Sequence, residues 1–337
     1  MDASKLTLLA DFWPARIILS AVELELFPKL AQPAQGAELA RRLELDERAT
    51  VLLLDALTAL GVLEKSSGSY GIAPGLRNAL LPGEDCILPS LRHRAVLWHR
   101  WSALTEVVTS GTSTEELYEK DQRPLEEVRS FIAAMAVSGR PSAGQAAAAL
   151  DLVGVESLLD IGGGPGVYAR EFLGTMPGLR VTILDLPRVC DIARENLSGT
   201  DYADRVEFAE GEALTIGDDM VLAHSPGGYG MVLASNLIHS MEEERVRELL
   251  RRAVRWCAPG GSVVIKDFFL DDTRTSPASA ALFSINMLVN NAGRSYAWSE
   301  VERWLGEALD GCGVGGGKLQ RIELPDGRSG MVVATKG

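Results

Sequence analysis

One stretch of this chain constrains its fold more than any other: residues 158–171, which read LLDIGGGPGVYARE. An apolar run ends in an acid, three consecutive glycines follow, and a helical pattern then begins. Glycine allows turns that other residues avoid and lets a ligand approach the backbone closely. The stretch therefore predicts a strand, a ligand-binding turn and a helix, placed where ligands bind in α/β sheets.

From residue 157 onward, short apolar runs alternate with helical patterns. The runs are SLLDI, RVTILD (180–185), RVEFAEG (205–211), YGMVLAS (229–235), SVVIKDFFL (262–270) and GMVVATK (330–336), with helices at 241–256 and 298–309 among those between them. Continuous apolar strands separated by helices are typical of a parallel sheet that is covered on both faces. This part of the chain is predicted to be a doubly wound α/β domain.

The glycine spacing argues against two common phosphate-binding turns. Gly162, Gly164 and Gly166 give G-x-G-x-G, whereas the dinucleotide fingerprint G-x-G-x-x-G requires glycine where this chain has Val167. The sequence also does not match the phosphate-loop motif of nucleotide hydrolases, because no Gly-Lys-Ser/Thr is present. A nicotinamide-dependent dehydrogenase is therefore disfavoured.

Acidic residues follow the first three strands and suggest a cationic ligand. Asp160 stands just before the glycines, where it would repel a pyrophosphate but attract an ammonium group. Asp185 ends the second strand, where a carboxylate can accept from both ribose hydroxyls of an adenosine. Its alternative role is a helix cap before Pro187. Glu212, after the third strand, lies where it could meet the adenine, so the set predicts S-adenosylmethionine as the cofactor.

Residues 1–90 have a different pattern, with helices at 14–30, 36–45 and 47–60 and then two short strands in GVLEKSSGSYGIAP. This order is the outline of a winged helix. A DNA reader needs cations for phosphates and polar side chains for base edges. The region instead contains eight Lys/Arg and twelve Asp/Glu, a net charge of −4, and its third helix is mostly apolar. Packing or dimerisation is therefore favoured over DNA binding. The chain's net charge of −13 also argues against nucleic acid as its main partner.

Taken in order, LLDIGGGPG, ILDLP, RVEFAEGEAL, SNLIHS and CAPGGSVVIKDFFLDD make the chain resemble the plant-type O-methyltransferase family. That family includes caffeate- and acetylserotonin-type enzymes and bacterial natural-product methyltransferases. The resemblance covers nearly the whole chain and implies a Rossmann-like class I methyltransferase domain, an N-terminal winged-helix dimerisation domain and a homodimer. Together with the glycine turn, it gives a predicted cofactor-binding set of Asp160, Gly162, Gly164, Gly166, Asp185, Leu186, Glu212, Ala213 and Ser235.

His239, in SNLIHSMEEE after the fourth strand, is the candidate catalytic residue. A phenol has a pKa near ~10, so a base with a pKa of ~6.5 assists methylation at neutral pH. The family uses a histidine here, usually followed by Asp, whereas this chain has Ser240. The flanking acid that plant members place after the next helix should fall near NAGRSYAWSE, where this chain has Ser295 and Tyr296 rather than an obvious Glu. Alternatively, Ser240 and Glu243 form a capping box and His239 is a residue preceding a helix.

The predicted organisation has three parts: a dimerisation domain at 1–90, a helical linker at 91–148 and the methyltransferase domain at 149–337. The linker is predicted to be helical at 88–148 and to line a pocket for a small aromatic or polyketide-like acceptor. Plain core packing is the alternative for each aromatic or Met residue, and helix capping for Asn290 or Asn291. The candidate acceptor contacts are Trp98, Trp101, Phe131, Met135, Phe283, Asn286, Met287 and Asn290.

Four separated cysteines (86, 190, 257 and 312) predict reduced thiols, no zinc site and a cytoplasmic location. The start of the chain does not read as a signal peptide, and no run reaches the ~20 apolar residues of a membrane span. The sequence therefore favours a hydroxyl methyltransferase of secondary metabolism that uses no metal. A carbon or nitrogen methyltransferase, another enzyme using the same cofactor, and a ligand-responsive regulator remain alternatives.

Overall fold

The structure is a computed structural model that describes residues 2–114, 124–313 and 317–337. The chain forms two compact units, Met1–His99 and Arg100–Gly337. The three-part division at residues 90 and 148 stays a prediction. Among the described residues, no helix is long and apolar enough to cross a membrane, and no three His, Cys, Asp or Glu residues are grouped to hold a metal ion.

The first unit consists of short helices and a small antiparallel sheet with strand order β1-β3-β2. Strands β2 and β3 are the predicted hairpin, and β1 was not predicted. The fold contains the elements of the expected outline, although its assignment as a winged helix stays a prediction. The elements are α1 (Ala3–Leu9), α2 (Trp13–Glu23), α3 (Leu26–Lys29), β1 (Ala34–Gln35), α4 (Gly36–Arg42), α5 (Glu47–Ala59), β2 (Leu63–Ser66), β3 (Ser69–Ile72), α6 (Arg77–Leu80) and α7 (Leu88–Trp101).

The prediction of one helix over 14–30 is wrong, because the chain breaks it into α2 and α3. Glu25, between them, has a left-handed backbone with φ of 54°. Its carboxylate accepts two hydrogen bonds from Arg92 on α7, at 3.0 and 2.9 Å. A helix cannot continue through a left-handed residue, and this ion pair holds the break in place.

The second unit is built on a seven-stranded sheet with order β6-β5-β4-β7-β8-β10-β9. The five strands from β6 to β8 are parallel, as expected. The unit contains α8 (Leu104–Ser110), α9 (Leu125–Ala149), β4 (Ser157–Ile161), α10 (Val167–Thr175), β5 (Arg180–Asp185), α11 (Pro187–Leu197), β6 (Val206–Glu210), α12 (Asp218–Leu222), β7 (Tyr229–Ser235), α13 (Glu243–Trp256), β8 (Cys257–Asp267), α14 (Ala278–Asn290), α15 (Trp298–Gly311), β9 (Lys318–Glu323) and β10 (Gly330–Thr335).

The prediction of an entirely parallel sheet is wrong at one edge, where β10 runs antiparallel to both β8 and β9. A short turn joins β9 to β10, and a short connection can only join antiparallel strands. Strand β9 was not predicted because this edge strand is exposed and largely polar. The expectation of helix throughout 88–148 also fails at 102–103 and 111–113, and residues 115–123 lie outside the described ranges.

Two apolar cores cover the two faces of the sheet, as a doubly wound fold requires. One core contains Trp256 of α13 and Trp304 of α15, and the other contains Phe172 of α10 and the alanines of α9. The strand order reverses between β4 and β7, because the chain moves outward from β4 to β6 and then returns to the other side. Ligands bind beyond the carboxyl ends of the strands at such a switch point, so the fold places a site beside β4 and β7.

Candidate active site

The glycine turn joins β4 to α10, as the sequence predicts. Gly164 has φ of 54°, and a Cβ built on it would meet only a carbonyl oxygen, 3.9 Å away, so the backbone conformation rather than crowding calls for glycine. Gly163 is crowded instead, since its Cβ would lie 2.9 Å from Oδ2 of Asp160. The turn therefore lies directly against this acid and presents open backbone at Gly164.

Asp160 is a buried carboxylate with neither oxygen hydrogen-bonded. Burial, and to a smaller extent the nearby charge of Asp185, raise its pKa to about 7. A buried carboxylate without a partner is costly, and an adjacent cation stabilises the ionised form. The position is therefore suited to a positively charged ligand group.

Asp185 ends β5 and binds the glycine turn directly. Its Oδ2 accepts from the Gly164 amide at 2.8 Å, and its Oδ1 accepts from the Leu186 amide at 2.7 Å. Burial raises the pKa of the Asp185 carboxyl, and these two amides lower it. A carboxylate has about four lone-pair positions, so Asp185 retains acceptor capacity after both contacts.

The remaining cofactor candidates lie along the same edge of the sheet. Leu186 is 47% exposed at the start of α11, and the buried Oγ of Ser235 has no hydrogen-bond partner. Ala213 packs against the core. Glu212 forms an exposed ion pair with Arg245 at 2.5 Å, so its carboxylate is already paired in this structure.

His239 lies in a short 3-10 helix, Ile238–Ser240, after β7. Its Nδ1 is 2.7 Å from Oδ1 of Asp267, and its backbone amide donates to Oδ2 of the same residue at 3.3 Å. The two side chains are only 12% and 3% exposed. Burial raises the pKa of the Asp267 carboxyl, but the charge and hydrogen bond of His239, the Phe268 amide and Lys266 lower it more, so its net pKa is below the ordinary value.

Asp267 is a residue of this candidate site that the sequence did not predict. It ends β8, and β8 pairs with β7 in the sheet, which brings it beside His239 although 28 residues separate them. The available signal was an acid inside the apolar run SVVIKDFFL. The predicted capping box is wrong, because Ser240 donates to the Leu237 carbonyl, and α13 begins at Glu243 after Glu242 with no side-chain cap.

Aromatic rings enclose the His239 ring. Phe283 of α14 meets it edge to face, with centroids 4.8 Å apart and planes at 89°. The ring centroid of Phe268, which follows β8, lies 6.1 Å from that of His239 and 4.7 Å from that of Phe283. Gly293 lies against the backbone behind the ring, since a Cβ there would be 1.9 Å from the His239 carbonyl oxygen. The ring is therefore confined on several sides.

Three of the predicted acceptor contacts hold helices together. Trp101 donates from Nε1 to Oδ1 of Asn286 at 2.9 Å, and Asn290 donates to the same oxygen at 3.1 Å. Arg100 donates to Oδ1 of Asn290 at 2.9 Å. Met287 is 6% exposed and packs inside. The burial of Met287 favours its packing alternative, and Asn291 rather than Asn290 is the residue that caps α14, whereas Phe283 lies directly against His239.

The other acceptor candidates are spread over both units. Phe131 on α9 is 41% exposed, and Met135 is half-buried one turn later. Trp98 belongs to the first unit, where its ring lies 6.1 Å from that of Phe12 and 5.6 Å from the guanidinium of Arg16. Their roles toward an acceptor stay predictions.

Residues 101–309 match the O-methyltransferase domain family, and residues 6–79 match the O-methyltransferase dimerisation domain family. The chain belongs to the O-methyltransferase family. It is an S-adenosylmethionine-dependent O-methyltransferase, which agrees with the cofactor predicted from the glycine turn and its neighbouring acids and with the activity that the family resemblance implies.

Similar proteins of known name include O-methyltransferases of bacterial natural products. The 3-hydroxy-5-methyl-1-naphthoate 3-O-methyltransferase of Streptomyces sahachiroi is 33% identical over 319 residues, which cover 91% of this chain and 89% of that one. The tetracenomycin polyketide synthesis 8-O-methyl transferase of Streptomyces glaucescens is 30% identical, covering 90% and 89%. The solved structure of human N-acetylserotonin methyltransferase is 22% identical to this chain and shares its fold with a TM-score of 0.83, and the match covers 100% of this chain and 99% of that one.

The residues of this O-methyltransferase fit its cofactor. Asp160 offers a buried, unpartnered carboxylate to a cation, and Asp185 offers acceptor positions to hydroxyl groups. The Ser235 hydroxyl adds a buried polar group without a partner at the end of β7. When bound, S-adenosylmethionine supplies a methyl group on a sulfonium that a nucleophilic oxygen can attack. The acceptor oxygen must then be placed in line with that methyl group and lose its proton.

Proposed function

We propose that this enzyme methylates a phenolic hydroxyl of a polycyclic aromatic, polyketide-like molecule, with His239 as the general base. The observation that carries the proposal is the contact of 2.7 Å between Nδ1 of His239 and Asp267. If Nδ1 carries the proton in that contact, the neutral ring has its lone pair on Nε2. Nε2 can then take the hydroxyl proton while the oxygen attacks the methyl group.

Asp267 positions the base in this proposal. Its carboxylate is held by the Phe268 amide at 2.8 Å and contacts both the ring and the backbone of His239. It favours one tautomer, fixes the ring orientation and stabilises the imidazolium that forms. It therefore replaces the Asp that the family usually has after the histidine, where this chain has Ser240.

We propose the cofactor contacts on the same basis. Asp160 faces the ammonium group, Asp185 accepts from the ribose hydroxyls, and the open backbone at Gly164 admits the ligand closely. Glu212 can reach an adenine only if its ion pair with Arg245 opens or shares the carboxylate. Further contacts are proposed for Gly162, Gly166, Leu186, Ala213 and Ser235.

The acceptor class rests on the named relatives and on the aromatic surroundings of His239, and it can be tested directly. The enzyme is incubated with S-adenosylmethionine and a panel of hydroxylated naphthoates, anthraquinones and simple phenols, and products are identified by mass spectrometry and NMR. We expect polycyclic phenols to gain one methyl group on oxygen. Methylation only at carbon or nitrogen, or of none of these aromatic compounds, would contradict the proposal.

We also propose a homodimer formed through the first unit. The dimerisation-domain match covers residues 6–79, and α1 and α2 expose large apolar side chains, with Leu8 73% and Trp13 70% exposed. Exposed apolar patches of this kind mark interfaces. Light scattering is expected to give twice the chain mass of 36.2 kDa at micromolar concentration.

A charge at this surface should weaken the dimer. Leu8→Glu is expected to lower the average mass toward that of one chain, because a buried unpaired carboxylate is costly. Leu282→Glu is the matched control, since Leu282 is 64% exposed in the other unit. A monomeric wild type, or equal behaviour of the two variants, would contradict the proposed interface. Tight, salt-dependent DNA binding would show that the first unit has a different role.

A further inference from the structure

Lys266 is a buried cation next to the carboxylate that contacts His239. It is 1% exposed near the end of β8, in the interior of the sheet and one residue before Asp267. Its ammonium donates to a neutral amide, Oδ1 of Asn236, at 2.8 Å. A buried ammonium carries a large desolvation cost. An apolar residue at this position of the strand would avoid that cost. The role of Lys266 therefore calls for an explanation beyond packing.

Lys266 binds Asn236 through its backbone as well as its side chain. The Asn236 amide donates to the Lys266 carbonyl at 2.8 Å, beyond the last register pair of β7 and β8, Ser235 with Lys266. Asn236 has a left-handed backbone with φ of 51°. Two hydrogen bonds between Asn236 and Lys266, one donated by each residue, thus hold the left-handed turn at which the chain leaves β7.

Lys266 and Asp267 therefore hold opposite ends of one short segment, residues 236–239. Lys266 binds Asn236 at its start, and Asp267 binds the ring and amide of His239 at its end. Between them, Leu237 packs against the glycine turn, since a Cβ on Gly162 would lie 3.0 Å from its Cδ1. The segment thus connects the candidate base to the cofactor turn.

Further polar contacts extend from the same place. The Asn236 amide group donates to the Tyr168 hydroxyl at 3.5 Å, and that hydroxyl is 2.8 Å from Oγ of Ser142 on α9. The Lys266 ammonium also lies 5.1 Å from the centre of the Phe268 ring, which packs beside His239. Asn236 and Phe268, two of the neighbours of this ammonium, therefore belong to the surroundings of the candidate base.

We propose that Lys266 is a positioning residue for methyl transfer, which holds Asn236 so that residues 236–239 present His239 and Leu237 in fixed positions. The inference rests on the proposed function because it takes His239 as the base. Lys266 acts through Asn236 and makes no contact with the acceptor in this proposal. Its loss affects the rate rather than the assembly of the fold.

The test compares Lys266→Met, which removes the hydrogen bond and the charge, with Lys266→Gln, which keeps a donor. The matched control is Lys336→Met, because Lys336 also donates to backbone carbonyls, those of Val254 in the last turn of α13 and of Cys257 at the opposite end of β8. We expect Lys266→Met to lower kcat by ~10-fold to ~100-fold. Lys266→Gln should retain more activity, and Lys336→Met should keep the wild-type kcat.

A spectroscopic measurement separates positioning from general destabilisation. The chain has four histidines, so ¹⁵N NMR can follow the imidazole of His239 once His239→Ala has identified its signals. We expect one neutral tautomer, protonated on Nδ1, in the wild type and in Lys336→Met. Lys266→Met should give a mixture of tautomers. Asn236→Ala removes the acceptor of the Lys266 hydrogen bond, and it is the test variant to use if Lys266→Met does not fold.

The outcomes distinguish this inference from the proposed function. If His239→Ala is as active as the wild type, the proposed base is wrong. If His239→Ala is impaired while Lys266→Met and Asn236→Ala keep the wild-type kcat and His239 tautomer, the positioning role of Lys266 is wrong. Equal losses in Lys266→Met and Lys336→Met would also overturn it, because the effect would then be one of stability alone.

Discussion

His239→Ala is expected to lower kcat by ~10²-fold to ~10⁴-fold on an acceptor whose phenol pKa exceeds ~9. Such a phenol is almost entirely protonated at neutral pH, so its oxygen attacks efficiently only if a base removes the proton. Asp267 contacts the Nδ1 side of the ring at 2.7 Å, whereas the proposed acceptor lies on the Nε2 side. Its carboxylate therefore cannot replace the missing imidazole as the base. The measurement is the pH–rate profile of both proteins on one identified acceptor.

The wild-type rate should fall on the acid side, because an imidazolium has no lone pair to accept a proton. His239→Ala should lose most of its activity, and its remaining rate should no longer show this decrease at acid pH. Affinity for S-adenosylhomocysteine, measured by calorimetry, should stay within about twofold, since the cofactor contacts proposed here lie on the glycine turn and its acids. Acceptors that are ionised at neutral pH should show a much smaller loss, because they need no base.

A second histidine provides the matched control. His224 also contacts a carboxylate through Nδ1, that of Glu207 at 3.0 Å, but this pair lies on the surface away from the glycine turn. His224→Ala should keep the wild-type rate. Asp267→Asn should lower kcat strongly, because an amide can leave the ring in the wrong tautomer. Equal rates in the wild type and His239→Ala would show that His239 is only a neighbour of the site.

The sequence predicts those parts of the site that depend on short local patterns. The glycine turn and Asp185 are recognisable because the turn, its strand and the following acid lie within about one βαβ unit. His239 follows a strand in the same way. In each case the local residues determine both the structure and the position at the edge of the sheet.

The residues that the sequence did not reveal depend on contacts between distant segments. Asp267 and Lys266 take their roles from the pairing of β8 with β7, and neither has a local pattern that specifies a partner. The antiparallel edge was missed because β9 is polar and β10 is as apolar as a parallel strand. The break at Glu25 depends on Arg92, more than sixty residues away.

Binding of the cofactor product is expected to depend on pH through the buried carboxyl of Asp160. Burial, followed by the charge of Asp185, raises its pKa to about 7, so much of it is protonated at neutral pH before a ligand binds. A ligand ammonium favours the ionised carboxylate, so binding at lower pH must release a proton. Affinity for S-adenosylhomocysteine should therefore rise with pH up to about 7 and fall up to tenfold for each unit below that, as linkage requires.

Calorimetry from pH 5 to 7.5 measures this dependence, and Asp160→Asn identifies its source. The variant cannot ionise, so its affinity should vary little with pH and be ~10-fold to ~100-fold weaker at pH 7.5, because a charge-assisted hydrogen bond is lost. Asp191→Asn is the control, since Asp191 is an exposed acid paired with Arg194 at 2.8 Å, and it should keep the wild-type slope. The two buried acids titrate as a coupled pair, so any slope that remains in Asp160→Asn belongs to Asp185. An unchanged slope in that variant would show that Asp160 is not the group that releases the proton.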